Sequence, residues 1–337
     1  MTGGGAPGAA GILHCLEQDP SFHVTVADAD PDASGRYLNE DFEAIPFAGE
    51  PAFIGAMLSI CRKKNIHAVL PLVTKELIPL SLHAKEFELT GTKLLISPTA
   101  SLEIANNKSR LYEFLQWRGM EVPGFKVVET TDQFKSAVEE LGYPQKQVCF
   151  KPSVSNGSRG FRIVTAAIDE PDLLFNYKPN SAYISMGDAL RILSKGPFPE
   201  LLISEYLPGE EYSVDCLANH GEPVLIIPRL RKKMINGISV EGEMVKEQTI
   251  ISYCNRVIHE LQLHGNIGIQ VKRSAPGIFL PLEINPRVQG SISACLGAGV
   301  NLPVLAIKQE LGLPVSTDET IVKWGTRFAR YWKDVFY

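Results

Sequence analysis

Gly268-Ile269-Gln270-Val271-Lys272 and Leu280-Pro281-Leu282-Glu283-Ile284-Asn285-Pro286-Arg287, joined across Ala275-Pro276-Gly277, are the two runs from which the rest of the chain can be read. Both alternate apolar and polar residues and a Pro-Gly pair lies between them, which predicts a β-hairpin. With Pro276-Gly277 at its tip, Gln270 stands opposite Glu283 and Val271 opposite Leu282. Side chains alternate along a strand, so Gln270, Glu283 and Asn285 fall on one face and Ile269, Val271, Leu282 and Ile284 on the other. One face carries oxygen ligands, the other hydrocarbon. A single carboxylate, two amide oxygens and Arg287 just beyond suit a hard divalent cation beside a phosphate. Mg²⁺ takes few carboxylates and leaves its remaining positions to phosphate and water.

The 337 residues correspond to about two domains on length alone. With 45% hydrophobic and 21% charged residues, the chain can bury a full core without staples. A net charge of −5 argues against nucleic acid, whose binders show a basic domain or stripe. A small-molecule substrate is expected instead. Six cysteines (Cys15, Cys61, Cys149, Cys216, Cys254 and Cys295) stand singly, most in apolar runs. They read as core thiols of a reducing compartment, so a cytoplasmic location is expected. None of the seven histidines forms H-E-x-x-H or stands at zinc spacing from a cysteine. No basic and then apolar leader opens the chain and no apolar run approaches about 18 residues, so neither secretion nor a membrane span is expected.

Near the N-terminus, Gly3, Gly5 and Gly8 spell G-x-G-x-x-G, with Asp28 about twenty residues on. Alone this suggests an NAD-dependent dehydrogenase. The same glycines serve any Rossmann-like strand-to-helix turn, and the strand that should precede them is missing or cut short, since only Met1 and Thr2 stand ahead. Ala68-Val69-Leu70-Pro71-Leu72-Val73 and Lys93-Leu94-Leu95-Ile96-Ser97-Pro98 read as buried strands with helices between them. Residues 1–105 are therefore expected to form a βα-alternating domain with a parallel sheet.

Further on, Leu111, Phe114 and Leu115 mark a helical face that Gly119 and Pro123 close. Thr130 and Gln133 are spaced as a capping box for a second helix carrying Phe134, Val138 and Leu141. Strands are predicted at Phe125-Lys126-Val127-Val128 and Gln147-Val148-Cys149-Phe150-Lys151. The loop after Lys151 holds Gly157, Ser158 and Gly160, whose backbone N–H groups can approach phosphate while the lysine adds a point charge. Lys151 precedes the glycines and strands flank them, so the stretch reads as a covering hairpin rather than a Walker A loop.

Leu201 to Tyr206, Pro208-Gly209 and 211–215 read as strand, turn and strand, with three glutamates at 205, 210 and 211. Then Arg229-Leu230-Arg231-Lys232-Lys233 forms a basic run. Such a run is usually a solvated face, but Arg229 or Arg231 also suits bidentate pairing with an anion. Ile250, Cys254, Val257, Ile258 and Leu261 mark one face of a helix, and 290–299 with 301–306 read as a helix pair. The stretch 321–332 looks like a terminal strand laid on the core, with no chemistry assigned.

At Leu282 to Arg287, with Gln270 upstream, the sequence resembles the ATP-grasp superfamily, in particular its carbamoyl-phosphate-synthase-like branch. The resemblance implies a mixed α/β (α+β) fold, an ATP-grasp fold preceded by a Rossmann-like domain. The implied segments are 1–105, 106–204 with the lid, 205–313 with the metal and ATP site, and a C-terminal strand segment 314–337. It further implies that Glu283 bridges two Mg²⁺ ions (Mn²⁺ being the alternative), with Gln270 and Asn285 completing their shells. Lys108 and Lys151 would hold phosphates, and the loop with Gly157, Ser158 and Gly160 would close over the triphosphate. Glu205, Tyr206 and Leu207 match the hinge that takes adenine, Glu211 matches the ribose acid, and Arg287 would stabilise the transferred phosphoryl group.

The reaction so implied is ATP-dependent joining of a small carboxylate to an amine, with the region of Arg229 and Arg231 bordering the carboxylate. Two departures narrow it. Ser239 stands where carbamoyl phosphate synthase has a histidine, which counts against bicarbonate, and one ATP-grasp unit is present where that enzyme has two. A homo-oligomer is compatible with the sequence. The rival from another class is a module that binds ATP without turnover.

Overall fold

The computed structural model describes all residues except 156, 158, 168–170, 173–174, 176–181, 236, 316–318 and 337. The chain packs as two units, Met1–Asn106 with Glu211–Val271 and Glu283–Tyr337 in one, Asn107–Glu210 with Lys272–Leu282 in the other.

In the first unit, Val26–Asp28 (β1) pairs in parallel with Phe42–Ala44 (β2), and Ala68–Val69 (β3) with Lys93–Leu94 (β4). Thr2 makes one parallel bridge to Ala27 and donates its N–H to Leu70 O at 3.2 Å. The place expected for a strand ahead of the glycines is thus taken by a single bridging residue. The chain then turns into the helix Ala9–Glu17. A Cβ on Gly8 would lie 2.2 Å from Gly290 Cα, so only glycine allows this backbone approach.

That helix buries Ile12 and Leu16 in a core shared with Leu70, Leu72, Leu217, Ile227 and Leu302. Phe53, Met57, Leu77, Leu80 and Phe87 form a separate core within the same unit. All six cysteines are buried and unpaired, as apolar runs predicted.

The second unit holds Phe125–Val128 (β5), Val148–Pro152 (β6), Arg162–Val164 (β7), Tyr183–Ile184 (β8) and Leu201–Glu205 (β9), in the order β5-β9-β6-β7-β8. β6 and β7 are antiparallel with Val148 opposite Val164, the hairpin expected around the glycine loop. The capping box forms as predicted, Thr130 and Gln133 closing the start of the helix Thr131–Glu140. Phe134 on that helix meets Phe150 of β6 edge to face at 5.1 Å, inside a core with Val138, Val148 and Ile203.

The largest sheet comprises Glu211–Asn219 (β10), Glu222–Ile235 (β11), Ile238–Met244 (β12), Gly265–Arg273 (β13), Phe279–Asn285 (β14) and Arg327–Ala329 (β15). Its order is β14-β13-β10-β11-β12-β15. The whole is a mixed α/β architecture in which β1 to β4 are parallel pairs and the β10, β11, β12 and β15 pairings are antiparallel.

Two expectations need correction. The terminal segment contributes only the short edge strand β15 on β12, and Tyr331 and Trp332 are exposed rather than laid on the core. An edge strand has a partner on one side only, and here pairing stops at Ala329. The first of the two helices after Arg287 shrinks to Ala294–Gly297, because glycines at 290, 297 and 299 weaken a helix.

Glu76, on the first turn of the helix Thr74–Leu82, is buried and accepts a hydrogen bond from Thr2 Oγ1. Burial raises its pKa from 4.5 to about 7; Asp28 pushes the same way, while the Thr2 bond and the Met1 amino group oppose. A carboxyl raised in the folded state contributes stability below its unfolded pKa and loses it as pH climbs through the folded one. Stability should therefore fall by about 3 kcal/mol on this account between pH 4.5 and about 7. Glu76→Gln should flatten that part of the profile, and urea melts of both proteins across the range would show an unchanged slope if Glu76 were not responsible.

Candidate active site

Around the three expected ligands the burial alternates as the hairpin reading requires, whereas residues 265–268 of β13 and 279–281 of β14 are buried without interruption. Ile269, Val271 and Ile284 are buried, while Gln270, Glu283 and Asn285 are partly exposed. Leu282, expected on the hydrocarbon face, is only partly buried.

From Glu283 a chain of polar contacts runs outward. Asn285 Nδ2 donates to Glu283 Oε1 at 3.4 Å, and Arg287 Nη2 donates to Asn285 Oδ1 at 3.3 Å. The guanidinium is fixed at its other edges by Val288 O at 2.8 Å and Thr74 Oγ1 at 3.1 Å. Burial pulls the Arg287 pKa down and the Glu283 charge opposes that pull. Thr74 is absent from the sequence reading. Its signal is positional: it opens a helix directly after a buried strand, where sites gather in open α/β sheets.

A second cluster forms around Arg231, whose side chain is 4% exposed. Its Nη1 donates to Glu211 Oε1 and, at 3.4 Å, to Gln270 Oε1; Nε donates to Ser239 Oγ at 3.0 Å and Nη2 to Gly237 O. Three residues expected to serve different ends of a site are thereby brought together.

The basic run itself divides. Arg229 is fully buried, with Nε on Asp215 Oδ2 at 3.1 Å, Nη2 on Ser291 Oγ at 2.8 Å, and its guanidinium over the Phe328 ring at 5.4 Å. It presents no surface to solvent and pairs with buried Asp215. Lys232 and Lys233 pair with Glu243 and Glu241 on the outside, the solvated face expected of such a run.

In the second unit, Asn107 caps the helix Lys108–Trp117. Lys108 is buried there, its N–H on Ser153 O at 2.8 Å and its Nζ on Ser155 O at 2.6 Å. The ammonium thus sits against the glycine loop. Lys151 Nζ donates to Leu282 O at 2.9 Å and lies 5.7 Å from the Tyr112 ring centroid. In the loop, Gly157 and Gly160 adopt φ of +64° and +77°, and a Cβ on Gly160 would come 2.6 Å from Pro152 Cδ. Ser158 lies outside the described residues.

At the end of β9, Glu205 N donates to Gly124 O at 2.9 Å and Glu205 Oε1 accepts from Gly124 N at 3.1 Å, while Tyr206 N donates to Gln147 O at 3.3 Å. Leu207 follows, buried, and its N–H has no hydrogen-bond partner among the described residues. An unused donor at a strand end is what an adenine ring nitrogen requires. Lys272 Nζ covers the Tyr206 ring at 5.0 Å.

The N-terminal fingerprint closes on itself. Asp28 accepts from Gly5 N at 2.8 Å and from Asp30 N at 2.8 Å, which occupies the acid that a dinucleotide reading would place on a ribose. Among the described residues there is no group of three or more His, Cys, Asp or Glu side chains able to hold a metal ion. One carboxylate with neighbouring amide oxygens is a donor set of another kind, and it fits Mg²⁺, which relies on few protein carboxylates.

Two stretches of the chain match known protein families. Residues 197–331 match the family described as ATP-grasp in the biosynthetic pathway with Ter operon, and residues 11–95 match the PylC-like N-terminal domain. The carbamoyl phosphate synthase large chain of Methanothrix thermoacetophila is 27% identical over 236 residues, 66% of this chain but 20% of that protein. The chain thus spans about a fifth of the length of the curated relatives it matches. Among solved structures, N5-carboxyaminoimidazole ribonucleotide synthetase in complex with ADP aligns with a TM-score of 0.68 at 16% identity, covering 93% of this chain and 76% of that one. Biotin carboxylase from Campylobacter jejuni aligns with a TM-score of 0.68 at 15% identity, covering 94% and 72%. Residues 197–331 are thus similar to an ATP-grasp family and residues 11–95 to a PylC-like N-terminal domain, and the chain is similar to part of the large chain of carbamoyl phosphate synthase.

Proposed function

We propose that the protein is an ATP-dependent carboxylate–amine ligase: a small carboxylate attacks the γ-phosphate of Mg·ATP, and an amine then displaces phosphate from the acyl phosphate. The observation that carries this reading is the linked array of Glu283, Asn285 and Arg287 on one face of β14 and just beyond it. A carboxylate, a carboxamide and a fixed cation in sequence supply what phosphoryl transfer needs, which is positioning and charge neutralisation rather than a nucleophilic side chain.

In this reading Glu283, Gln270 and Asn285 hold the divalent metal. Bound there, the metal supplies charge neutralisation at the phosphate oxygens. Arg287, held by Thr74 Oγ1 and Val288 O, cannot swing away and so keeps its positive edge toward the transferred group. Lys108 and Lys151 serve as phosphate cations and Gly157, Ser158 and Gly160 as the covering loop. Leu207 N–H receives adenine, with Glu205 and Tyr206 bracing the hinge from Gly124 and Gln147. Glu211 takes the ribose hydroxyls. ATP, Mg²⁺, a small carboxylate and an amine are then the ligands. Phosphate release from Mg·ATP, screened against pooled amino acids and small carboxylates with mass spectrometry of the products, tests this directly. Nucleotide binding with no phosphate released by any pool would instead favour a module that binds without turnover.

Glu283→Gln keeps the shape and removes the only carboxylate among the three metal ligands. It should fold within about half a kcal/mol of the parent, while phosphate release falls by about 10²-fold or more. Activity near the parent's level would remove Glu283 from the mechanism.

Lys151→Ala forfeits one charged hydrogen bond to Leu282 O and a ring contact with Tyr112, worth about 1–2 kcal/mol of stability. The larger effect is expected on ATP affinity, a weakening of about tenfold or more for loss of a charge-assisted phosphate contact. Calorimetry alongside thermal melts separates the two, and a lowered melting point with unchanged affinity would make Lys151 structural.

A further inference from the structure

Arg231 stands on β11 one step beyond the Tyr212–Leu230 pair of the β10–β11 ladder, which sets it beside Glu211 at the start of β10. Its guanidinium has five N–H donors and no acceptor. Four contacts are already made: Ser239 Oγ from Nε, Glu211 Oε1 and Gln270 Oε1 from Nη1, and Gly237 O from Nη2. So engaged, and nearly sealed from solvent, it has little left to offer a substrate carboxylate. What it does control is the orientation of two other side chains.

Glu211 is 16% exposed, and with Oε1 held by Arg231 its second oxygen, Oε2, has no hydrogen-bond partner among the described residues. A carboxylate pinned by one oxygen presents the other in a fixed direction, as a vicinal pair of hydroxyls requires. Gln270 poses a related problem, since its oxygen and nitrogen ends have the same shape and differ only in hydrogen bonding. A partner that can only donate selects the oxygen end. A lysine would supply charge but not this planar fork, and a surface arginine would be too mobile to impose either orientation.

We propose that Arg231 is a positioning residue that orients the Glu211 carboxylate and the Gln270 carboxamide together, so that ribonucleotides are selected over 2′-deoxyribonucleotides. The inference rests on the ATP-ligase reading above and assigns Arg231 to nucleotide selection instead of the carboxylate substrate. It also explains why one guanidinium is shared between an acid near the start of β10 and an amide on β13. The ribose end and the metal end of the nucleotide would be held in register by a single rigid group.

The test is isothermal titration of the full chain with ATP and with 2′-deoxy-ATP, both with saturating Mg²⁺. The parent should bind ATP about tenfold or more tightly than the deoxynucleotide, as a buried carboxylate left without its hydroxyl partner would require. In Arg231→Met the two affinities should converge, and adding Glu211→Gln should produce no further loss of discrimination. Arg231→Lys, which keeps the charge, should fold and still lose most of the ratio, covering the case in which the methionine variant does not fold. If both nucleotides weaken equally in the lysine or methionine variant, Arg231 is merely structural and the inference is overturned. A parent that binds Mg·ATP without preferring it over the deoxynucleotide also overturns the inference while leaving the ligase reading standing. A parent that binds neither nucleotide overturns both.

Discussion

The period-two alternation at 269–271 of β13 and 283–285 of β14 is the constraint on which the rest of the site depends. Ile269, Val271 and Ile284 are buried, and a slip of one residue would carry Glu283 into hydrocarbon and Ile284 out to solvent. An ionised carboxylate placed there without a partner would have to take up a proton. The core therefore sets the direction of Glu283 and Asn285.

Electrostatics then determines what the buried cations do. A guanidinium out of water is tolerable only beside a compensating charge or a full set of acceptors. Arg229 meets this condition with Asp215, Arg231 with Glu211, and Arg287 with the field of Glu283 and the oxygens of Thr74, Asn285 and Val288. These pairings leave very different surfaces. Arg229 is closed on every side, so its pair serves the fold. Glu211 keeps an oxygen without a hydrogen-bond partner among the described residues, and Arg287 stays next to Asn285 and Glu283, so these groups remain available to the proposed chemistry.

Backbone constraints complete the arrangement. Gly160 at positive φ lies against Pro152, and Gly8 lies against Gly290; in both places a Cβ would overlap other atoms. Glycines in the first case shape a loop around Ser155, which Lys108 holds by its carbonyl. In the second they let a loop and a turn meet backbone to backbone. The N-terminal glycines thus have packing and turn duties that account for them without a dinucleotide, and Asp28 satisfies the loop's own N–H at Gly5.

Everything that depends on near neighbours was decided by the amino-acid order. The alternation at 269–271 and 283–285, the capping box at Thr130 and Gln133, the β6–β7 hairpin and the buried single cysteines all follow from residues a few places apart. Period, capping and turn chemistry are local, so they survive without knowledge of the fold. Only the tertiary structure decided which long side chain meets which. Nothing in the run at 229–233 distinguishes Arg229 from Arg231; the difference is that one meets Asp215 and Ser291 while the other meets Glu211, Gln270 and Ser239. Thr74 was invisible for the same reason, since its partner Arg287 is more than two hundred residues away in sequence. Arginine has several rotatable bonds and five donors, so its partner is chosen by packing and by the cost of leaving a buried charge uncompensated, and those are properties of the folded interior alone.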